Sequence, residues 1–271
     1  MLLFTSMSHA EQSSQEPYIF VTLPPLSGLV LLLAPQAQVQ CLLSNNADPH
    51  HFQIKPRQVE RLHQAKLLVR SPRDDGYWSS LAAQAPTLSL WQKEHKHTHH
   101  AHNHAWLNPK EVSAALPKLA QTLSPLFPMN NDSIHIRLHD ATKMSQDMWH
   151  QWQSFVEEYQ LQQRGVMMQH PSWKGLFEAL GVPIRGILES TQHGQEYGPR
   201  NLEKALATLQ KYPQTILIGD TNHSNRALLW LQKHSLHRFT KLDALGHCGE
   251  PWADLMQRNL KTLKAYMAQQ P

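Results

Sequence analysis

Several absences narrow what this chain can do. Its 271 residues include only two cysteines, Cys41 and Cys248, and neither belongs to a C-x-x-C pattern. A cysteine-built zinc site or a dithiol redox centre is therefore excluded. The two can pair in an oxidising compartment or sit apart as small buried apolar residues, and their spacing does not choose between these. Charged residues make up only 17% of the chain, and the formal net charge is +4 with histidine neutral. The pI near 9.0 would suit a nucleic-acid partner. However, Lys and Arg are scattered and no basic run interleaves with aromatics, so no nucleic acid is expected. No apolar run reaches the ~18 residues of a membrane span, and the stretch from Leu26 to Ala34 is too short. An H-E-x-x-H helix is missing as well. A zinc hydrolase, which needs an open metal position and a general base, is the weaker reading for that reason.

What the chain has in excess is histidine, 19 residues against 25 Lys plus Arg. The densest tract runs from Glu94 to Pro109 (E-H-K-H-T-H-H-A-H-N-H-A-W-L-N-P) and contains His95, His97, His99, His100, His102 and His104. Imidazole is a common ligand for borderline-soft metals, so this density points to metal binding. A purification tag would lie at a terminus, whereas this run is internal and leads into an apolar-periodic helix. At the other end, Ser8-His9-Ala10 forms the small-x-small triplet that precedes signal cleavage. The expectation is the tail of a secretory signal with its start trimmed, and with it a periplasmic location.

Hydrophobic patterning predicts strands at Tyr18–Leu23, Val39–Leu43, Leu67–Val69 and Leu88–Leu90, with helices over Leu26–Leu33 and Pro56–Ala65. A helix follows from Pro109 to Leu123. The mostly polar stretch Asp132–Leu161 carries Ile134, Leu138, Met148, Trp152 and Phe155 and has no strand signal. A second rhythm then begins, with strands at Gly165–Met168, Ile184–Leu188, Thr215–Ile218 and Lys241–Leu242 and helices between and after them. The fold class expected is α/β, with two lobes of parallel sheets flanked by helices and joined by a long linker helix. The corresponding divisions are 18–130, 131–164 and 165–271. Ser190–Gly198 is polar and expected to be a surface loop.

Ligands of open parallel sheets bind beyond the carboxyl ends of strands. Four candidate metal ligands share that position: His50, His104, His170 and Asp243. Two come from each lobe, which puts the site in the cleft between them. Three neutral imidazoles and a carboxylate suit tetrahedral Zn²⁺ with bonds of about 2.0–2.2 Å. Hard ions would want mostly oxygen.

Three motifs resemble one known family. They are Ala47–Leu62 (A-D-P-H-H-F-Q-I-K-P-R-Q-V-E-R-L), His104–Pro109 (H-A-W-L-N-P) and Lys241–Gly246 (K-L-D-A-L-G). Together and in this order they resemble the cluster A-I substrate-binding proteins of metal ABC importers. The zinc-importer (ZnuA-type) members are the most similar, since they share a His-rich loop before the H-x-W-L-x-P motif. The resemblance implies two α/β lobes bridged by a rigid helix, one ion in the cleft, and no catalysis. It carries His50, His104 and His170 over as zinc histidines and puts Asp243 where the family has its carboxylate. Manganese-type relatives place Glu at the third position, so His170 favours zinc; manganese or another divalent metal is the alternative.

The resemblance also implies a membrane permease as partner, a monomer, and Zn²⁺ as transported ligand. His95, His97, His99, His100 and His102 would then be a weaker secondary site. The chain departs from the family pattern in three places. His170-Pro171-Ser172-Trp173 replaces H-D-A, Ser44-Asn45-Asn46 replaces Pro-Pro-Gly, and Gly219–Ser224 (G-D-T-N-H-S) replaces an E-P-Q-like element. The last change leaves His223 without an assigned role near the cleft edge.

Overall fold

The computed structural model describes residues 18–44, 52–72, 74, 85–91, 104–189 and 198–269. The N-terminal triplet, His50 and the tract members His95, His97, His99, His100 and His102 lie outside them, as does most of the polar segment after Glu189.

The first sheet is built from β1 (Tyr18–Val21), β2 (Gln38–Cys41), β3 (Leu67–Arg70) and β4 (Thr87–Ser89), in the order β2-β1-β3-β4. Every pairing is parallel, with Ile19 opposite Val39 on one side and Leu67 on the other. Ile19, Phe20, Val21, Leu67, Leu68 and Val69 are all buried, as expected of strands covered on both faces. Between β1 and β2 runs α1 (Pro24–Leu33), whose sequence P-P-L-S-G-L-V-L-L-L is apolar almost all round. Such a helix is stable only if it is enclosed. It packs against α4 (Asn131–Glu158), 28 residues long, and against α9 (Trp252–Met267). The helix α2 (Pro56–Leu62) links β2 to β3.

Proline starts several helices, because its missing N–H costs nothing in the first turn. This holds for α1, α2, α3 (Pro109–Leu123) and α7 (Pro199–Lys211). The exposed Pro117 lies within α3, and the helix continues past it.

The second sheet repeats the first. Its strands are β5 (Val166–Met168), β6 (Ile184–Ile187), β7 (Ile216–Asp220) and β8 (Phe239–Leu242), all parallel, in the order β6-β5-β7-β8. The short α5 (Leu161–Arg164) delivers the chain from α4 to β5. The connecting helices are α6 (Lys174–Ala179), α7 and α8 (Arg226–His234), and α9 closes the chain. The helix expected to follow Pro171 starts as a tight turn over Pro171–Trp173 before α6 begins. One buried apolar cluster runs from β1 through α4 to β5 and β7, and a smaller one lies under α7 and α8.

The two cysteines resolve to a disulfide. Cys41 ends β2 and Cys248 lies before α9; their sulfurs are 2.01 Å apart and their Cα atoms 5.9 Å apart. The bond ties the first sheet to a loop of the second half of the chain. Among the described residues, no helix is long and apolar enough to cross a membrane.

Candidate metal centre

The carboxyl ends of the second sheet's strands supply most of the site. Residues immediately beyond β5, β6 and β7 are His170, Glu189 and His223, and their ligand atoms all fall within 4.8 Å of one another. Glu189 is almost fully buried. Its Oε2 lies 3.3 Å from His170 Nδ1 and 2.9 Å from His223 Nδ1, while Oε1 accepts from Gln169 Nε2 at 2.9 Å. The two imidazoles stack, with centroids 4.2 Å apart and planes 22° apart. Burial alone would raise the pKa of Glu189. The hydrogen bonds from His170, His223 and Gln169 outweigh it and hold the carboxyl well below the usual range. An ionised carboxylate only accepts, so both Nδ1 atoms carry the proton. A neutral ring in that tautomer has its lone pair on Nε2, the arrangement in which a carboxylate orients a metal-binding histidine.

The departure at Pro171-Ser172 acquires a role at this level. Ser172 Oγ donates to Asp220 Oδ2 at 2.7 Å, and the backbone N–H of Asp220 donates to Gln169 Oε1 at 3.4 Å. Asp220 Oδ1 accepts from the N–H of Asn222 at 3.2 Å, which shapes the turn carrying His223. A chain of buried polar groups therefore fixes the ends of β5, β6 and β7 relative to one another.

From the other half of the molecule comes His104. Its φ of 61° and ψ of 41° are left-handed, a conformation that costs an L-residue about 1–2 kcal/mol. Its N–H donates to Asp74 Oδ1 at 2.8 Å, and its Nδ1 is 3.8 Å from the same oxygen. Its ring lies 5.5 Å from that of His170, nearly perpendicular, and 5.1 Å from Trp106. Trp106 anchors the motif: its Nε1 donates to Ala244 O at 2.7 Å, and its own carbonyl accepts from Trp252 Nε1 at 2.7 Å. Asn108 caps α3 by accepting from the N–H of Lys110. The His, Trp and Asn of H-A-W-L-N-P thus each have a local task. His104, His170, His223, Ser172, Asp220 and Asn222 line one small cavity with Ala244 and Leu245.

Of the four residues expected as ligands, the fold brings His104 and His170 together, and His50 lies outside the described residues. Asp243 is engaged elsewhere. Its Oδ1 accepts from the N–H groups of Leu245 and Gly246 at 3.0 and 2.9 Å, and its Oδ2 meets Arg258 at 3.0 Å. Glu189 escaped the sequence reading altogether. The strand-end rule that selected His170, applied to the strand ending at Leu188, would have found it.

Two parallel-sheet lobes, with histidines and a buried carboxylate gathered about one small cavity, suit a metal-binding protein. The family model described as "ZnuA: Zinc-uptake complex component A periplasmic" matches residues 19–266, and the chain belongs to that family. It is a substrate-binding component of an ABC transporter, not an enzyme, of a kind that works outside the cytoplasm.

A protein of Thermotoga maritima described as "Putative metal-binding protein" is 23% identical over 86% of each chain, and one of Chlamydia muridarum with the same description is 20% identical over 76% of each. Among solved structures, a crystal structure of ZnuA superposes with a TM-score of 0.79 at 21% identity, covering 91% of this chain and 98% of that one. A Mn-bound periplasmic metal-binding protein from candidatus Liberibacter asiaticus gives 0.78 at 11%, covering 93% and 99%. These superpositions establish the two-lobe fold.

Proposed function

We propose that this chain captures Zn²⁺ in the cleft with His50, His104 and His170 and hands it, as a monomer, to the membrane permease of an ABC importer. The carrying observation is His104. A buried histidine in a left-handed conformation, set beside a second buried histidine whose tautomer a carboxylate controls, is strain that packing alone does not require. Imidazole nitrogen favours zinc over the harder manganese ion. The disulfide fits an oxidising compartment, and a cleaved secretory signal ahead of Tyr18 would deliver the chain there. The tract from His95 to His102 acts as a weaker collector, its run of imidazoles offering metal donors by composition.

Titration calorimetry tests both parts. His170→Ala should lose the tight zinc phase, and an unchanged tight phase sinks the reading. Deleting Lys96–His102 should lower total zinc stoichiometry and leave the tight phase intact; unaltered stoichiometry removes the collector. Capture of manganese is the second reading. It draws support from the buried carboxylate Glu189 among the histidines, since oxygen donors suit Mn²⁺. Competition between the two ions for the purified chain decides.

A further inference from the structure

We infer that His223 is a metal ligand of this chain, occupying the position the sequence pattern gives to Asp243, so that imidazoles complete the cleft site. The inference rests on the zinc-capture reading and names the donor that sets its selectivity.

Glu189 treats His223 as it treats His170. One carboxylate oxygen receives the Nδ1 proton of both rings, at 2.9 Å from His223 and 3.3 Å from His170. The rings stack with only 22° between their planes. With Nδ1 turned to Glu189, the ring nitrogen whose chemistry suits a metal is Nε2 in both. His170 and His223 line one small cavity together with His104. The turn holding His223 is built rather than loose. Asp220 accepts from Ser172 and from the N–H of Asn222, and its carbonyl accepts from the N–H of His223 at 3.3 Å.

Asp243 shows the converse. Two backbone N–H groups and the Arg258 guanidinium hold its carboxylate, and Arg258 is itself held by Glu250 at 2.6 Å. Moving Asp243 to an ion would break a capped turn and an ion-paired cluster. His223 already stands at the cavity with its tautomer set. Replacing an oxygen donor by a nitrogen one moves the set toward Zn²⁺ and away from Mn²⁺.

Chelator competition on the full-length chain, with one equivalent of metal so that only the tightest site is read, tests this. His223→Asn is the informative variant, because its amide N–H can still donate to Glu189 while the metal-binding nitrogen is gone. Asp243→Asn keeps the oxygen that caps the turn and serves as control. The expected result for His223→Asn is zinc affinity lower by about a hundredfold or more, at or above what loss of an outer-sphere partner costs. The visible spectrum of the Co²⁺-loaded chain should change with it, and zinc-over-manganese preference should shrink. Asp243→Asn should leave zinc affinity near the parent's, because the oxygen that caps the turn is retained. If His223→Asn keeps parental zinc affinity and cobalt spectrum while His170→Ala loses both, zinc capture stands and this inference falls. A large loss in Asp243→Asn alone also overturns it. If the parent chain takes no zinc in the competition, both fall together.

Discussion

His104 and Glu189 show how single residues at the cavity are held in arrangements that cost the protein stability. His104 holds a left-handed backbone without the freedom of glycine, and its N–H bond to Asp74 and the Trp106 ring beside it help to keep it there. Substitution at this position should invert the usual order of residues. In most helix or turn positions alanine is at least as stable as glycine, but here glycine relieves the left-handed penalty. The metal-free His104→Gly chain should be more stable than His104→Ala by about 1 kcal/mol. Denaturant midpoints for the two variants check it, and an alanine variant as stable as the glycine one would mean the backbone is not strained. Glu189 acts on its neighbours: one carboxylate oxygen meets the Nδ1 atoms of both His170 and His223 and so orients the two rings.

Among the elements, the contact of α1 with the start of α9 controls how the two halves meet. Gly28 lies inside α1, where glycine is a poor helix former by about 1 kcal/mol relative to alanine. A Cβ at this position would run into the carbonyl oxygen of Glu250 and come within 2.8 Å of the Trp252 nitrogen. Both are backbone atoms and cannot rotate away. Overpacking of this kind costs about 1–3 kcal/mol, which exceeds the propensity gain. Gly28→Ala should therefore lower the melting temperature by a few degrees, at about 2–4 °C per kcal/mol for a chain of this size. A rise in melting temperature would show that the approach of α1 to α9 is looser than the geometry states. The same seam holds Gly249, whose N–H donates to Ser27 Oγ at 2.8 Å, so α1 and the loop leading into α9 meet at two adjacent points.

For the whole molecule, several connections join the two halves. The long α4 contributes to the apolar cluster shared by both sheets, and the Cys41–Cys248 disulfide and the Trp252–Trp106–Ala244 hydrogen bonds add covalent and polar ties. The disulfide joins residues 207 apart in sequence. Closing so long a loop removes much entropy from the unfolded chain, and its loss should cost about 2–5 kcal/mol. A Cys41→Ala/Cys248→Ala double variant should show that drop in chemical denaturation, and reductant should destabilise the parent but leave the variant unaffected. Equal stability of the two proteins would show that the bond is absent in solution.

Much of this protein follows from local pattern. Buried runs such as Tyr18–Val21 and Ile216–Asp220, prolines at helix starts, and the polar 28-residue α4 need no distant information to be recognised. The strand-end rule likewise marks His170, just beyond β5, because in a parallel sheet every strand delivers its next residues to the same edge; His104 lies well past β4 and is marked by its own motif. Direction beyond the strand end is a different matter. Glu189 and His170 are 19 positions apart and meet only because β5 and β6 are neighbours in the sheet. Asp243 follows its strand as expected, yet its carboxylate is turned by the N–H groups of a tight turn and by Arg258, a residue of α9. The cysteine pairing depends in the same way on how two halves of the chain pack. Periodicity and composition report on neighbours in sequence, and so they determined the sheets, the helices and the edge where an ion would bind. Which side chains reach that edge is set by contacts across sheets and helices, and only the tertiary structure decided it.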